Sequence, residues 1–130
     1  MDNYRLNNNS IIVNSVETKL ESKKIRKIIE IKDLIIIIFS IPVVDPNIAY
    51  NNVIAIDVKS GHVKWQIEKY FDPKEESKNR KYKTLGPFLE VYDSKNHLIF
   101  SKTHGWRVPV DPSNGKIIKN IDLNTGKRPW

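Results

Sequence analysis

One uninterrupted apolar run, Leu34–Phe39, constrains the fold of this chain more than any other feature. It consists of a leucine, four isoleucines and a phenylalanine, and branched and aromatic side chains of this kind favour extended strands. Even if it is extended to Val44, the run is far shorter than the roughly 20 residues that span a bilayer. It therefore predicts a strand that is buried on both faces, with no membrane as partner.

The apolar residues from Asn9 onward follow a period of two more often than one of 3.6, which is typical of β-strands. Seven prolines leave little room for helices. The pattern predicts about nine antiparallel strands: Ser10–Val16, Ile25–Ile31, Leu34–Ile41, Asn52–Asp57, Val63–Glu68, Pro87–Tyr92, His97–Lys102, Trp106–Asp111 and Lys116–Asp122.

We therefore predict one all-β domain over residues 1–130, in which antiparallel hairpins form a propeller-like or meander arrangement around the Leu34–Phe39 strand. A β-sandwich is the alternative. The polar ends, residues 1–9 and 123–130, are expected to be loosely ordered.

Three short segments with turn chemistry separate neighbouring strands: Lys59–Gly61, Ser94–Asn96 and Pro112–Gly115. Each ends in a glycine or an asparagine, the residue types that accept a positive φ. We expect a hairpin at each of them. Two longer connections, Pro42–Asn51 and Asp72–Lys83, are expected to be surface loops.

The chain contains an internal repeat, because Ile54–Trp65 matches Val108–Lys119 at a constant offset of 54 residues. A third, partial copy is Ile121–Trp130. The pattern Ala55-x-Asp57-x-x-x-Gly61-x-x-x-Trp65 resembles the blade motif of pyrroloquinoline-quinone-type β-propellers. The resemblance implies that the Asp and the Gly form a tight turn and that Trp65 packs between blades as a core residue.

A closed propeller does not fit this chain. Each blade takes about 40 residues and closure needs at least about four blades, whereas 130 residues leave room for three. The resemblance therefore extends to turn and packing residues, and we expect no quinone site and no other cofactor.

A second resemblance concerns the class of protein rather than a motif. Small β proteins with an amide-rich start and no catalytic signature are similar to immunity proteins of bacterial polymorphic or contact-dependent toxin systems. The corresponding features here are Asn7–Asn9 and the hairpins Asn52–Ile67 and Val110–Ile118. This resemblance implies a non-enzymatic, protein-binding module whose partner is a cognate protein toxin.

The charge balance favours anionic partners. With 22 Lys and Arg against 15 Asp and Glu, the net charge is +7 and the pI is about 9.6, which suits nucleic acid, a membrane surface or an acidic protein. The absence of cysteine excludes disulfides and thiolate zinc sites and fits a reducing compartment. The N-terminus carries no secretion signal, so we expect a cytoplasmic protein.

Candidate catalytic residues are few. No two of the three histidines, His62, His97 and His104, lie within five residues of each other, so a metal site is not expected. No serine stands in a strand-to-helix elbow. Paired carboxylates in one cleft would suit a glycosidase, so a small enzyme stays as an alternative, with these candidates: Glu68, Asp72, Glu75, Glu76, Glu90 and Asp93.

The long segment from Tyr70 to Lys83 is charged, flanked by aromatic residues and free of the hairpin pattern. Because aromatic residues and arginine are enriched at interface hot spots, we predict a partner-binding surface. Its residues are Tyr70, Phe71, Arg80, Lys81, Tyr82 and Lys83, together with Arg107 and a partly exposed Trp106. The interleaved basic and aromatic side chains also suit single-stranded nucleic acid, the alternative partner, and a charged loop anchored by its aromatics is the third interpretation.

Overall fold

The computed structural model describes residues 3–21, 23–42, 48–70, 86–102, 105–121 and 123. These residues form ten β-strands and no helix, which confirms the predicted all-β fold of antiparallel hairpins. The strands are β1 (Tyr4–Asn7), β2 (Ser10–Val13), β3 (Val16–Lys19), β4 (Ile25–Ile31), β5 (Leu34–Phe39), β6 (Val53–Asp57), β7 (Val63–Gln66), β8 (Glu90–Asp93), β9 (Leu98–Ser101) and β10 (Arg107–Val110).

The strands form three separate sheets, in the orders β1-β2-β3, β4-β5-β6-β7 and β8-β9-β10. We call them the first, middle and third sheets. Neighbours in sequence are neighbours in each sheet, and every pair of strands is antiparallel, so each sheet is a meander. The described part of the chain contains no helix long and apolar enough to cross a membrane.

The middle sheet lies between the other two, and its strand β5 is buried on both faces. Successive side chains of a strand point to opposite faces. Accordingly, Ile35 and Ile37 pack in one apolar cluster with residues of the first sheet, whereas Ile36 and Ile38 pack in another cluster with residues of the third. This confirms the prediction drawn from the Leu34–Phe39 run.

The first sheet is fixed to the middle sheet through the turn between β6 and β7. Gly61 has a positive φ of 80°, and a Cβ atom at this position would lie 2.2 Å from the Val13 carbonyl oxygen. The Asn14 side chain donates a hydrogen bond of 2.6 Å to the Lys59 carbonyl. Only glycine allows the two turns to approach this closely.

The middle sheet is fixed to the third through Trp65. This side chain is 6% exposed, and its indole Nε1 donates to the Pro112 carbonyl at 2.8 Å. A Cβ atom at Gly115 would lie 2.6 Å from the indole ring, so the ring packs directly on the backbone of the turn after β10. The expected burial of Trp65 is confirmed.

At the opposite edge, the same two sheets are joined by charged side chains of β4 and the turn that follows it. The Lys27 ammonium lies 2.5 Å from a Glu90 carboxylate oxygen, and that of Lys32 lies 2.9 Å from Asp93. Arg26 Nε donates to the Leu89 carbonyl at 3.0 Å. The middle and third sheets therefore meet through ion pairs at one edge and through an aromatic contact at the other.

The structure differs from the prediction at both ends of the chain. The predicted strand Ser10–Val16 is two strands, because Asn14 and Ser15 turn the chain with φ values of 48° and 64°, and β1 pairs with β2 from Tyr4 onward. Of the predicted strand Lys116–Asp122, the described residues 116–121 form one bridge, between Val110 and Ile117.

Two of the three predicted turns join strands as expected, and the turn Pro112–Gly115 joins β10 to the bridge at Ile117. The backbone differs from the prediction at one of the three. Gly61 and Gly115 have positive φ values, whereas Asn96 does not. The turn between β8 and β9 is closed instead by a hydrogen bond from Ser94 N to the His97 carbonyl at 3.0 Å. Among these three turns, the left-handed residues Gly61 and Gly115 stand where the turn packs against a neighbouring group.

We expect Trp65→Ala to lower the free energy of unfolding by about 3–5 kcal/mol, because it empties the contact between two sheets. Trp65→Phe keeps a ring there and loses the Nε1 hydrogen bond, so it should lower the free energy by less. Urea denaturation followed by circular dichroism measures both. As a control, Tyr92→Ala removes an aromatic side chain that is 54% exposed and should have little effect. An unchanged urea midpoint for Trp65→Ala would contradict this packing role.

Candidate interaction site at the loop end

The connections between strands lie at two opposite ends of the three stacked sheets. At one end lie the short turns 14–15, 32–33, 58–62 and 94–97. Asn14 donates a hydrogen bond to the Lys59 carbonyl, and Lys32 donates one to the Lys95 carbonyl. These two bonds join turns of neighbouring sheets. The other end carries the connections 20–24, 40–52, 67–89 and 102–106, and we call it the loop end. Binding residues concentrate on loops that a rigid scaffold positions, so the loop end is the candidate site.

A buried lysine forms the centre of this end. Lys102 is 1% exposed, and its ammonium donates to the Gly86 carbonyl at 2.6 Å. The same nitrogen lies 4.2 Å from the centre of the Phe88 ring and 5.6 Å from that of Tyr70. A carbonyl and two aromatic faces thus compensate part of the cost of burying this amine.

Tyr70 and Trp106, both predicted as site residues, are brought together here. The indole Nε1 of Trp106 donates to the Tyr70 hydroxyl at 2.9 Å. Tyr70 is half-buried and also packs on the core. Because Lys102 contacts both the Tyr70 ring and Gly86, it connects the two residues that border the segment 71–85.

The expected partial exposure of Trp106 is wrong, because this side chain is 6% exposed. Gly105 N donates to the Lys102 carbonyl, and Lys102 N donates to the Trp106 carbonyl at 2.7 Å. This tight turn brings Trp106 onto the same face as Val108 and Val110, with which it shares the core cluster. Trp106 is therefore a core residue of the third sheet and not part of an exposed contact surface.

Arg107 points to the opposite face of the third sheet, as the alternation with Val108 requires. Its Nη2 donates to the Leu123 carbonyl at 2.9 Å. The structure therefore separates Arg107 from Trp106, although the two are adjacent in sequence. The remaining predicted site residues lie outside the described residues: Phe71, Arg80, Lys81, Tyr82 and Lys83.

A buried amide fixes the chain that returns from the segment 71–85. Asn52 is 8% exposed, and its Nδ2 donates to the carbonyls of Phe39 and Phe88 at 2.8 and 2.9 Å. Its Oδ1 accepts from Phe88 N at 3.0 Å. Since Gly86, Pro87 and Phe88 are all buried, this end of the segment is inserted into the core.

Burial lowers the pKa of Lys102 from 10.5 to about 7. A lysine that titrates near neutrality can act as a base or a nucleophile, but at 1% exposure its nitrogen faces the protein interior. The arrangement therefore positions the border of the segment 71–85 rather than presenting a reactive amine.

The candidate carboxylates do not form a pair among the described residues. Glu68 accepts a hydrogen bond from Ile117 N, and Glu90 and Asp93 each face a lysine. Three others, Asp72, Glu75 and Glu76, lie outside the described residues, as does His104. The part of the chain that the structure describes contains no group of three His, Asp or Glu residues that could hold a metal ion.

Two of the repeated aspartates, Asp57 and Asp111, are turn residues, as predicted; the third, Asp122, lies outside the described residues. A carboxylate oxygen of Asp57 accepts from Lys59 N, and one of Asp111 accepts from Ser113 N, both at 2.9 Å. The Ser113 hydroxyl also donates to Asp111 at 2.7 Å. Hydrogen bonds from the Ser113 hydroxyl and amide lower the pKa of the Asp111 carboxyl group, which stabilises its ionised form.

The sequence interpretation missed the residue at the centre of the site. Lys102 continues the alternation of Leu98 and Phe100, and all three are buried. This spacing is the signal that could have placed Lys102 on the core face of the third sheet. The partners of the amine, Gly86 and Phe88, come from a distant part of the chain, and no local pattern indicates them.

We expect the burial of Lys102 to make the protein more stable as the pH rises from about 7 toward 10. In this range the unfolded lysine binds a proton that the folded one has released, so the free energy of unfolding increases by up to about 1.4 kcal/mol per pH unit. Urea denaturation at several pH values should show a shallower rise for Lys102→Met. The exposed control Lys95→Met should match the wild type; identical pH profiles for all three proteins would contradict the lowered pKa.

Comparison with known proteins assigns the chain to a family. No curated protein matches the sequence. A family model described as a domain of unknown function, DUF7957, matches residues 1–123, which include all ten strands and every described residue of the loop end. The chain therefore belongs to the DUF7957 family of domains of unknown function.

Proposed function

We propose that this chain is a non-enzymatic, protein-binding module and that its loop end carries the contact. The observation that supports this proposal is the fixed border of the segment 71–85. On one side Tyr70 is bonded to Trp106, on the other Gly86 is bonded to Lys102, and Lys102 contacts both sides. A rigid base reduces the conformational entropy that a contact surface loses on binding.

The composition of this segment indicates the chemistry of the partner. Residues 78–83 contain four basic side chains, an aromatic ring and no carboxylate. Such a stretch is complementary to an acidic surface, and charge complementarity of this kind mainly accelerates association. The aromatic ring and the arginine supply the residue types that dominate binding energy at protein interfaces.

The finer form of the proposal is an immunity protein that blocks a cognate bacterial toxin in the cytoplasm. A protein of this class acts by occupying its partner, so a stable scaffold with one contact surface is sufficient. The resemblance of the amide-rich start and the hairpin pattern to this class supports it, as does the absence of cysteine, which suits a reducing compartment.

The neighbouring genes test this finer form. If the chain is an immunity protein, a gene for a large multidomain toxin should lie directly beside its own gene. Expression of the toxin's C-terminal domain alone should stop growth, and co-expression of this chain should restore it. Growth arrest that persists despite soluble co-expressed protein would contradict immunity while leaving a different protein partner open to the binding experiment below.

We expect the triple variant Arg80→Ala, Lys81→Ala, Lys83→Ala to bind an acidic partner more slowly while keeping its fold. The sequence predicts a surface loop for these residues, and charges in such loops contribute little to stability. Surface plasmon resonance at two salt concentrations measures the association rate, and thermal melting verifies the fold. The matched control replaces the exposed Arg5, Lys19 and Lys24 by alanine. Equal association rates for both variants would contradict a role for this segment.

A further inference from the structure

A second charged surface lies along β7, the outer strand of the middle sheet. Five exposed lysines define it, and we call it the basic edge: Lys59, Lys64, Lys69, Lys116 and Lys119. β7 is the outermost strand of the middle sheet. It carries Lys64, and the turn before it and the chain after it carry Lys59 and Lys69.

Backbone hydrogen bonds bring the remaining two lysines to the same edge. Glu68 N donates to the Gly115 carbonyl at 3.0 Å, and Ile117 N donates to the Glu68 carboxylate at 3.0 Å. Together with the Trp65 contact to Pro112, these bonds hold the turn after β10 against Trp65 and Glu68, at and just beyond the end of β7. Lys116 and Lys119 therefore lie in the segment that meets Glu68, beside Lys69. Lys64 alternates with the buried Trp65 and extends the edge on the other face of β7.

The charges of the basic edge are not used in holding the fold. Within the described residues, none of its five lysines forms an ion pair. The nearby carboxylates Asp57, Glu68 and Asp111 each accept a hydrogen bond from a backbone amide. At the β4 edge, by contrast, Lys27 and Lys32 are paired with carboxylates of the third sheet.

The residue types of the basic edge favour phosphate over a protein surface. The exposed neighbours of the lysines include Ser60, Gln66, Ser113 and Asn114, beside His62 and Val63, and Lys, Ser, Asn and Gln are among the side chains that contact phosphate and sugar oxygens. Lysine and serine are depleted at protein interfaces, where tyrosine, tryptophan and arginine are enriched. The described residues of this edge include no arginine.

Within residues 59–69 and 111–119, the edge exposes no Phe, Tyr or Trp ring on which bases could stack; the exposed ring there is the imidazole of His62. Trp65, the aromatic side chain of β7, is buried against Gly115. Single-stranded nucleic acid is held by bases that stack on exposed rings, whereas a duplex presents its phosphates to lysines on either side of a groove. We propose that the basic edge binds the phosphate backbone of double-stranded nucleic acid without reading its base sequence. This activity is separate from, and goes beyond, protein binding at the loop end.

The test measures binding of a short fluorescein-labelled DNA duplex of mixed sequence by fluorescence anisotropy over a series of salt concentrations. The variant replaces Lys64, Lys69, Lys116 and Lys119 by glutamine. For a surface that neutralises four phosphates, the slope of log K against log salt should become shallower by about 3–4. A second duplex of different sequence should bind with the same affinity.

A matched control removes the same charge elsewhere, by replacing the exposed Arg5, Lys19, Lys24 and Lys95 by glutamine. We expect it to keep most of the affinity and slope of the wild type, with both variants unchanged in thermal melting. The proposal would be overturned by no binding of the duplex by the wild type at low salt, by equal loss in the two variants, or by tighter binding of single-stranded DNA. Competition by polyglutamate as effective as that by unlabelled duplex would instead indicate an acidic protein partner and also overturn it.

Discussion

The whole architecture depends on keeping one strand away from water on both of its faces. Ile35–Ile38 of β5 are each fully buried, and burying one such side chain contributes about 1.5–3 kcal/mol. Because successive side chains alternate, neither covering sheet can bury all of them. The first sheet protects one pair and the third protects the other. Loss of either sheet therefore exposes half of the strand, which couples the three sheets into one cooperative unit.

Sheets of three or four short strands need a covered hydrophobic face to be stable, so the contacts between sheets contribute to the stability of each sheet. Gly61 and Gly115 occupy equivalent places in the repeat and have equivalent functions, since each lies at a turn where a neighbouring group approaches the backbone. At Gly61 the neighbour is the Val13 carbonyl, and at Gly115 it is the Trp65 ring. The repeat in the sequence is thus a repeat of the contact that joins one sheet to the next.

Alternation and turn chemistry were sufficient to predict most strands of the middle and third sheets. They did not predict the first sheet correctly, because its turn is made by Asn14 and Ser15 in left-handed conformations. No glycine at these positions indicates a turn in the sequence. Trp106 was misplaced although its spacing to Val108 indicated the core face. The contact of Tyr70 with Trp106 and that of Gly86 with Lys102 join distant segments, and such pairs depend on how sheets pack, which local patterns do not encode.

The two edges of the interface between the middle and third sheets show why charge is distributed unevenly over the molecule. At β4 the sheets are joined by ion pairs, so each lysine there is paired with a carboxylate of the third sheet. At β7 the same two sheets are joined by an indole ring and by backbone hydrogen bonds, which require no cation. Lysines at β7 therefore have no part in packing. Since exposed unpaired charges add little to stability, the lysines along β7 contribute little to the contact between these two sheets.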